Sequence, residues 1–86
     1  MAKLTGREGV RVNVIAPGNI IFPGGNWQKR VDERPEPWNR WINREVALRR
    51  FGKPEEIADA VVFLASPRAS FVSGAVWAVD GGQLRR

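Results

Sequence analysis

Apolar and polar positions alternate most clearly in residues 10–16, where Val10, Val12, Val14 and Ala16 fall on one face and predict a strand. Ile15 makes the other face partly apolar, a pattern that suits a strand inside an α/β sheet covered on both sides. Pro17-Gly18 predicts a sharp end to that strand. The next residues, Asn19-Ile20-Ile21-Phe22, form a loop too apolar to face water, so they should cover a ligand or a partner. Trp38, Trp41, Ile42 and Glu45 or Val46 recur at helical spacing and predict a helix from Pro37 or Trp38 to Arg49. A second helix is expected over 54–66, with Pro54 in its first turn and Glu55, Glu56 and Asp59 near its positive end. It carries one apolar face at Ile57, Ala60, Val61 and Leu64 and another at Ala58, Val62 and Ala65, so it should be buried on two sides. Residues 75–79 read as a short strand apolar on both faces, followed by an Asp80-Gly81-Gly82 turn and a polar tail over 83–86. Residues 1–9 read as the frayed end of a helix, with Gly6 and Gly9 as stop signals.

The predicted order is strand, loop, helix, helix, strand, and the two strands are most simply joined as a right-handed parallel crossover. Two parallel strands with two to three helices make an incomplete sheet, because parallel sheets are normally buried on both faces within larger α/β domains. The expected class is therefore α/β, as one portion of a doubly wound parallel sheet.

Composition narrows the chemistry. The 86 residues include no Cys, no His and no Tyr. This excludes disulfides, thiol catalysis, His-dependent nucleophilic triads and a phenolic general acid, and it argues against a zinc site. No metal site and no catalytic residue is assigned. The net charge of +5 raises a nucleic-acid partner as an alternative. The excess is concentrated between Trp27 and Lys53, where arginines interleave with tryptophans that could stack on bases. Against that stand the helix-packing spacing of the tryptophans and the interruptions at Glu33, Glu36 and Glu45. The start of the chain leads into polar residues, and its longest aliphatic or aromatic run, Ala60 to Ala65, is far below the roughly 20 residues of a membrane span. A cytoplasmic protein without membrane association is expected.

Four segments, in order, resemble the short-chain dehydrogenase/reductase family. Gly9-Val10-Arg11-Val12-Asn13-Val14-Ile15-Ala16-Pro17-Gly18 is similar to its Asn-x-(x)-x-Pro-Gly segment, and Arg50-Phe51-Gly52-Lys53-Pro54-Glu55-Glu56-Ile57-Ala58 to its Arg-x-Gly-x-Pro-Glu-Glu-Ile-Ala segment. Phe63-Leu64-Ala65-Ser66 and the run from Gly74 to Val79-Asp80-Gly81-Gly82 resemble its last helix and last strand. The resemblance implies the C-terminal third of a Rossmann-like domain. The family's Tyr-x-x-x-Lys pair and Gly-rich cofactor turn would then precede Met1.

By that resemblance, Pro17, Gly18 and Ile20 are the cofactor-binding positions, beside the nicotinamide of NAD or NADP. Residues 19–53 match the substrate-covering segment, so Phe22, Trp27, Trp38 and Trp41 are expected in a lid over a small-molecule substrate. The family often has Thr where Phe22 stands, and Phe22 cannot make that residue's hydrogen bond. The last strand belongs, in the family, near a subunit interface. The expected function is the C-terminal part of an NAD(P)-dependent oxidoreductase, inactive and without bound cofactor as a separate chain. A further alternative is a fragment that associates with itself through its uncovered strand edges and two-faced helix.

Overall fold

A computed structural model of the chain describes residues 2–83; the expectations for residue 1 and for the tail at 84–86 lie outside the described residues. Along the chain come helix α1 (Ala2–Gly6), strand β1 (Val14–Pro17), helices α2 (Asn26–Glu33), α3 (Pro35–Glu45) and α4 (Pro54–Ala65), a 3-10 turn at Pro67–Ala69, and strand β2 (Val76–Val79). The strands pair in parallel, Val14 opposite Val76 and Pro17 opposite Val79. The α/β class and the parallel crossover read from the sequence are both present.

Helix α4 covers one face of this pair. The Phe63 ring stacks on Trp77 at 5.6 Å between centroids. On the other face Val14 and Val76 stay 52% and 69% exposed. Of α4's own residues only Leu64 is buried, so the two-sided burial expected of this helix is not provided by the described residues. Arg11 ties the far end of α4 to the sheet. Its guanidinium donates to the carbonyls of Leu64 (2.8 Å), Val72 (3.3 Å) and Ser66 (3.4 Å), a cation placed where helix carbonyls lack partners.

Three boundaries differ from the sequence reading. Strand β1 begins at Val14, not Val10, because before it side chains join the pairing and leave one backbone bond, from the Gly74 N–H to the Val12 carbonyl (2.7 Å). Ser73 Oγ accepts from the Val12 N–H (3.3 Å), and Asn13 donates to the Val72 carbonyl (3.0 Å) while accepting from the Ala75 N–H (3.0 Å). Helix α3 begins at Pro35, since both Pro35 and Pro37 fit a first turn that needs no amide donors. It stops at Glu45 rather than Arg49, because Val46 turns extended and the Leu48 N–H is taken by the Gly81 carbonyl (2.9 Å). Helix α2 was not anticipated; Trp27 and Val31, spaced i, i+4, are its only apolar signal. The described residues thus hold four α-helices rather than two or three.

Burial divides between two small clusters. Ile42, Val46 and Phe51 form one, with Ile21, Trp27, Val31 and Trp41 packed around them. Leu64 on α4, Ala69 on the 3-10 turn that follows it, and Gly25 are the other buried residues among those described. The chain is elongated, 51 × 28 × 20 Å, with a radius of gyration of 16.1 Å. A compact chain of this length would have about 12 Å. Its accessible surface is 6660 Å², against about 5,100 Å² for a folded monomer of this mass. Both excesses have one cause: the chain carries more apolar face than it can cover itself. No helix among the described residues is long and apolar enough to cross a membrane.

Candidate functional site

The site is built where β1 and β2 both end, the edge at which open α/β sheets place ligands. Pro17 is tolerated on the ladder because backbone groups alternate in direction. The Gly18 N–H reaches the Val79 carbonyl (3.0 Å), so the Pro17 nitrogen points away from β2 and no ladder bond is lost. Gly18 is required by a close approach. A Cβ there would lie 2.7 Å from both Cα and Cβ of Asp80. That space is filled by the fold itself.

Beyond Gly18 the chain makes one more parallel bridge, between Ile20 and Gly52. The Ile21 N–H donates to the Gly52 carbonyl (2.9 Å) and the Gly52 N–H donates to the Asn19 carbonyl (2.9 Å). In this pattern the N–H and C=O of Ile20 itself point away from Gly52. They present a donor and an acceptor side by side on extended backbone, which is the complement of a primary carboxamide. Asn19 also donates through Nδ2 to Gln83 Oε1 at 2.6 Å. A cavity of about 490 Å³ lies beside the loop, with Ile20, Val46, Leu48, Ile57 and Val79 in its apolar wall.

Of the predicted lid residues, three come together. Trp27 stacks on Trp41 (5.2 Å, 21°) and meets Trp38 edge-on (5.2 Å), while Phe51 lies 5.1 Å from Trp27. The Arg30 guanidinium sits 4.8 Å over the Trp27 ring. The indoles therefore hold α2 to α3. Phe22 is apart from them, half-exposed, with its ring against Gly25.

Arg50 and Glu56 close the turn between the cavity and α4. Two bonds, 2.7 and 2.9 Å, join guanidinium to carboxylate, and Glu56 Oε1 also accepts from the Lys53 N–H (3.0 Å). Lys53 is the N-cap and its side chain has no acceptor, so the Glu56 carboxylate is the side-chain cap of this helix start. The Arg50 hydrogen bonds, then the Lys53 amide, lower the Glu56 carboxyl from 4.5 to about 2. A depressed carboxyl stabilises the fold above its unfolded value and ceases to as pH falls through its folded value. The urea midpoint of the chain should therefore drop between pH 4.5 and about 2. That of Glu56→Gln should start lower, stay flatter and converge with it at the acid end. Parallel profiles would show that the pair contributes nothing.

Among the described residues no group of His, Cys, Asp or Glu is arranged to hold a metal ion. The structure places Pro17 at the end of β1, with Gly18 and Ile20 just beyond it. Sequence reasoning missed Asn19 and Gln83, which are 64 positions apart and carry no local signal. Arg50 and Glu56 lie six positions apart in one segment, and the turn between them brings them into a pair that the sequence does not signal.

The sequence signature of the enoyl-(acyl carrier protein) reductase family matches residues 1–83. An isoepoxydon dehydrogenase of Aspergillus clavatus is 48% identical over 77 residues, covering 90% of this chain and 29% of that protein. A hydroxysteroid dehydrogenase from Escherichia coli superposes with a TM-score of 0.81 at 36% identity, over 99% of this chain and 34% of that one. A 3-oxoacyl-(acyl-carrier-protein) reductase from Agrobacterium tumefaciens, with NADP bound, gives 0.85 at 31% identity, over 94% of this chain and 31% of that one. The chain thus spans about a third of the length of these relatives. With residues 1–83 matched by the family signature and nearly the whole chain superposed on its members, the chain belongs to the short-chain dehydrogenase/reductase family of oxidoreductases.

Proposed function

We propose that this chain supplies the C-terminal portion of an NAD(P)-dependent oxidoreductase acting on a small molecule in the cytoplasm. The observation that carries this reading is the outward-facing N–H and C=O of Ile20, beyond the carboxyl end of β1. Such a pair matches the carboxamide of a nicotinamide, with Pro17 and Gly18 setting the course of the loop. The nicotinamide supplies hydride chemistry when bound; the chain's own part is to orient the ring and exclude water from it. Helices α2 and α3, joined by Trp27, Trp38 and Trp41, act as the substrate lid, with Phe22 at its near hinge. The uncovered faces of α4 and β2 associate, either with the rest of the sheet or with a second copy.

The reading is tested by grafting. Residues 1–83 replace the matched segment of the Agrobacterium reductase, and NAD(P)H oxidation is followed with a 3-oxoacyl substrate and a panel of small ketones. The graft is expected to bind and oxidise the dinucleotide, and the 86-residue chain alone to do neither, having no Gly-rich cofactor turn and no Tyr. A folded graft that does not bind dinucleotide would overturn the proposal.

A further inference from the structure

We infer that Gln83 is a positioning residue that fixes the nicotinamide-side loop through Asn19, so that the turn after the last strand sets how tightly a nicotinamide dinucleotide is held. The inference rests on the proposed role of Ile20 and deepens it. The Asn19 carbonyl and the Ile20 N–H belong to one planar peptide group, so whatever orients Asn19 also orients the Ile20 donor. Asn19 is held at two points. Its carbonyl accepts from the Gly52 N–H at 2.9 Å, and its side chain donates to Gln83 Oε1 at 2.6 Å. Without the second bond, the Asn19–Ile20 peptide is held on this side by the Gly52 N–H alone, and the Ile20 N–H is aimed less narrowly as that one bond bends and stretches.

The turn that carries Gln83 is itself fixed. Asp80 Oδ1 accepts from the Gly82 N–H (2.9 Å), the Asp80 carbonyl accepts from the Gln83 N–H (3.3 Å), and Asp80 abuts Gly18. Gln83 follows a turn anchored at both ends, and its amide can act as a rigid strut for a loop 64 positions earlier.

The test uses the graft described above and measures dinucleotide Kd by fluorescence titration alongside thermal midpoints. Gln83→Leu removes the acceptor and is expected to raise Kd on the order of 5-fold, the size of one lost hydrogen bond, with the melting midpoint lowered by no more than about 4 °C. Gln83→Glu keeps an oxygen acceptor and should restore Kd to within about 2-fold. An unchanged Kd in Gln83→Leu, with the unsubstituted graft binding normally, would overturn the strut alone. So would a raised Kd and a lowered midpoint shared equally by the Leu and Glu variants. Failure of the unsubstituted graft to bind would overturn the strut together with the functional reading it rests on.

Discussion

Replacing Gly82 with alanine is expected to destabilise the chain by about 2–6 kcal/mol, the sum of a backbone and a packing cost. Gly82 has φ of +87°, a conformation that costs an L-residue about 1–3 kcal/mol. Its added Cβ would also lie 2.7 Å from Cβ of Ala47. That atom is fixed to backbone and cannot rotate aside, so relief requires the 46–48 segment to move, at about 1–3 kcal/mol. Gly24 separates the two costs. Its φ of +82° is similar, but nothing lies within 4 Å of an added Cβ, so Gly24→Ala should lose only the backbone share. The comparison matters because a chain of this size holds about 4–13 kcal/mol in all. A 6 kcal/mol loss would release the 80–82 turn from Val46 and Leu48 and open the cavity. Urea unfolding of both variants checks this; equal losses would mean that the turn is not packed against Ala47.

The parts of the fold that were legible in the sequence are those set by neighbours along the chain. Pro54, the acidic first turn and the apolar spacing of 57–65 define α4 within its own residues, and the structure places it at Pro54–Ala65. What was illegible depends on distant partners. The start of β1 is decided by Ser73 and by the Asn13 side chain reaching across to 72–75, and the end of α3 by Gly81. The site divides in the same way. The positions of Pro17, Gly18 and Ile20 at and just beyond the end of β1 were legible because they lie within four consecutive residues of a family pattern. Trp38 and Trp41 were visible as one helical stripe. Trp27 joined them only through α2, an element with too few apolar positions to predict. Asn19 and Gln83 are ordinary turn residues until folding brings them together.

Phe51→Ala is expected to cost about 3–5 kcal/mol, the usual range for a buried phenylalanine, and to do so locally. Phe51 is 9% exposed and closes the cluster of Ile42, Val46 and Trp27. Leu64 on α4 and Ala69 on the 3-10 turn that follows it lie in the other cluster. The two clusters are linked through the Ile20–Gly52 bridge, the Leu48 N–H to Gly81 bond and the Arg50–Glu56 pair. If these links are weaker than either cluster, removing the Phe51 ring should loosen α2 and α3 while the sheet and α4 stay formed. The tryptophan emission should then shift to the red. Amide protection should fall in 27–45 and persist at 58–65 and at Gly18. A helix pair with its own small core can open as a unit, carrying its tryptophans with it, and still return to one closed position. Uniform loss of protection across both clusters would show a single cooperative unit, in which α2 and α3 could not open without also releasing the loop that holds Ile20.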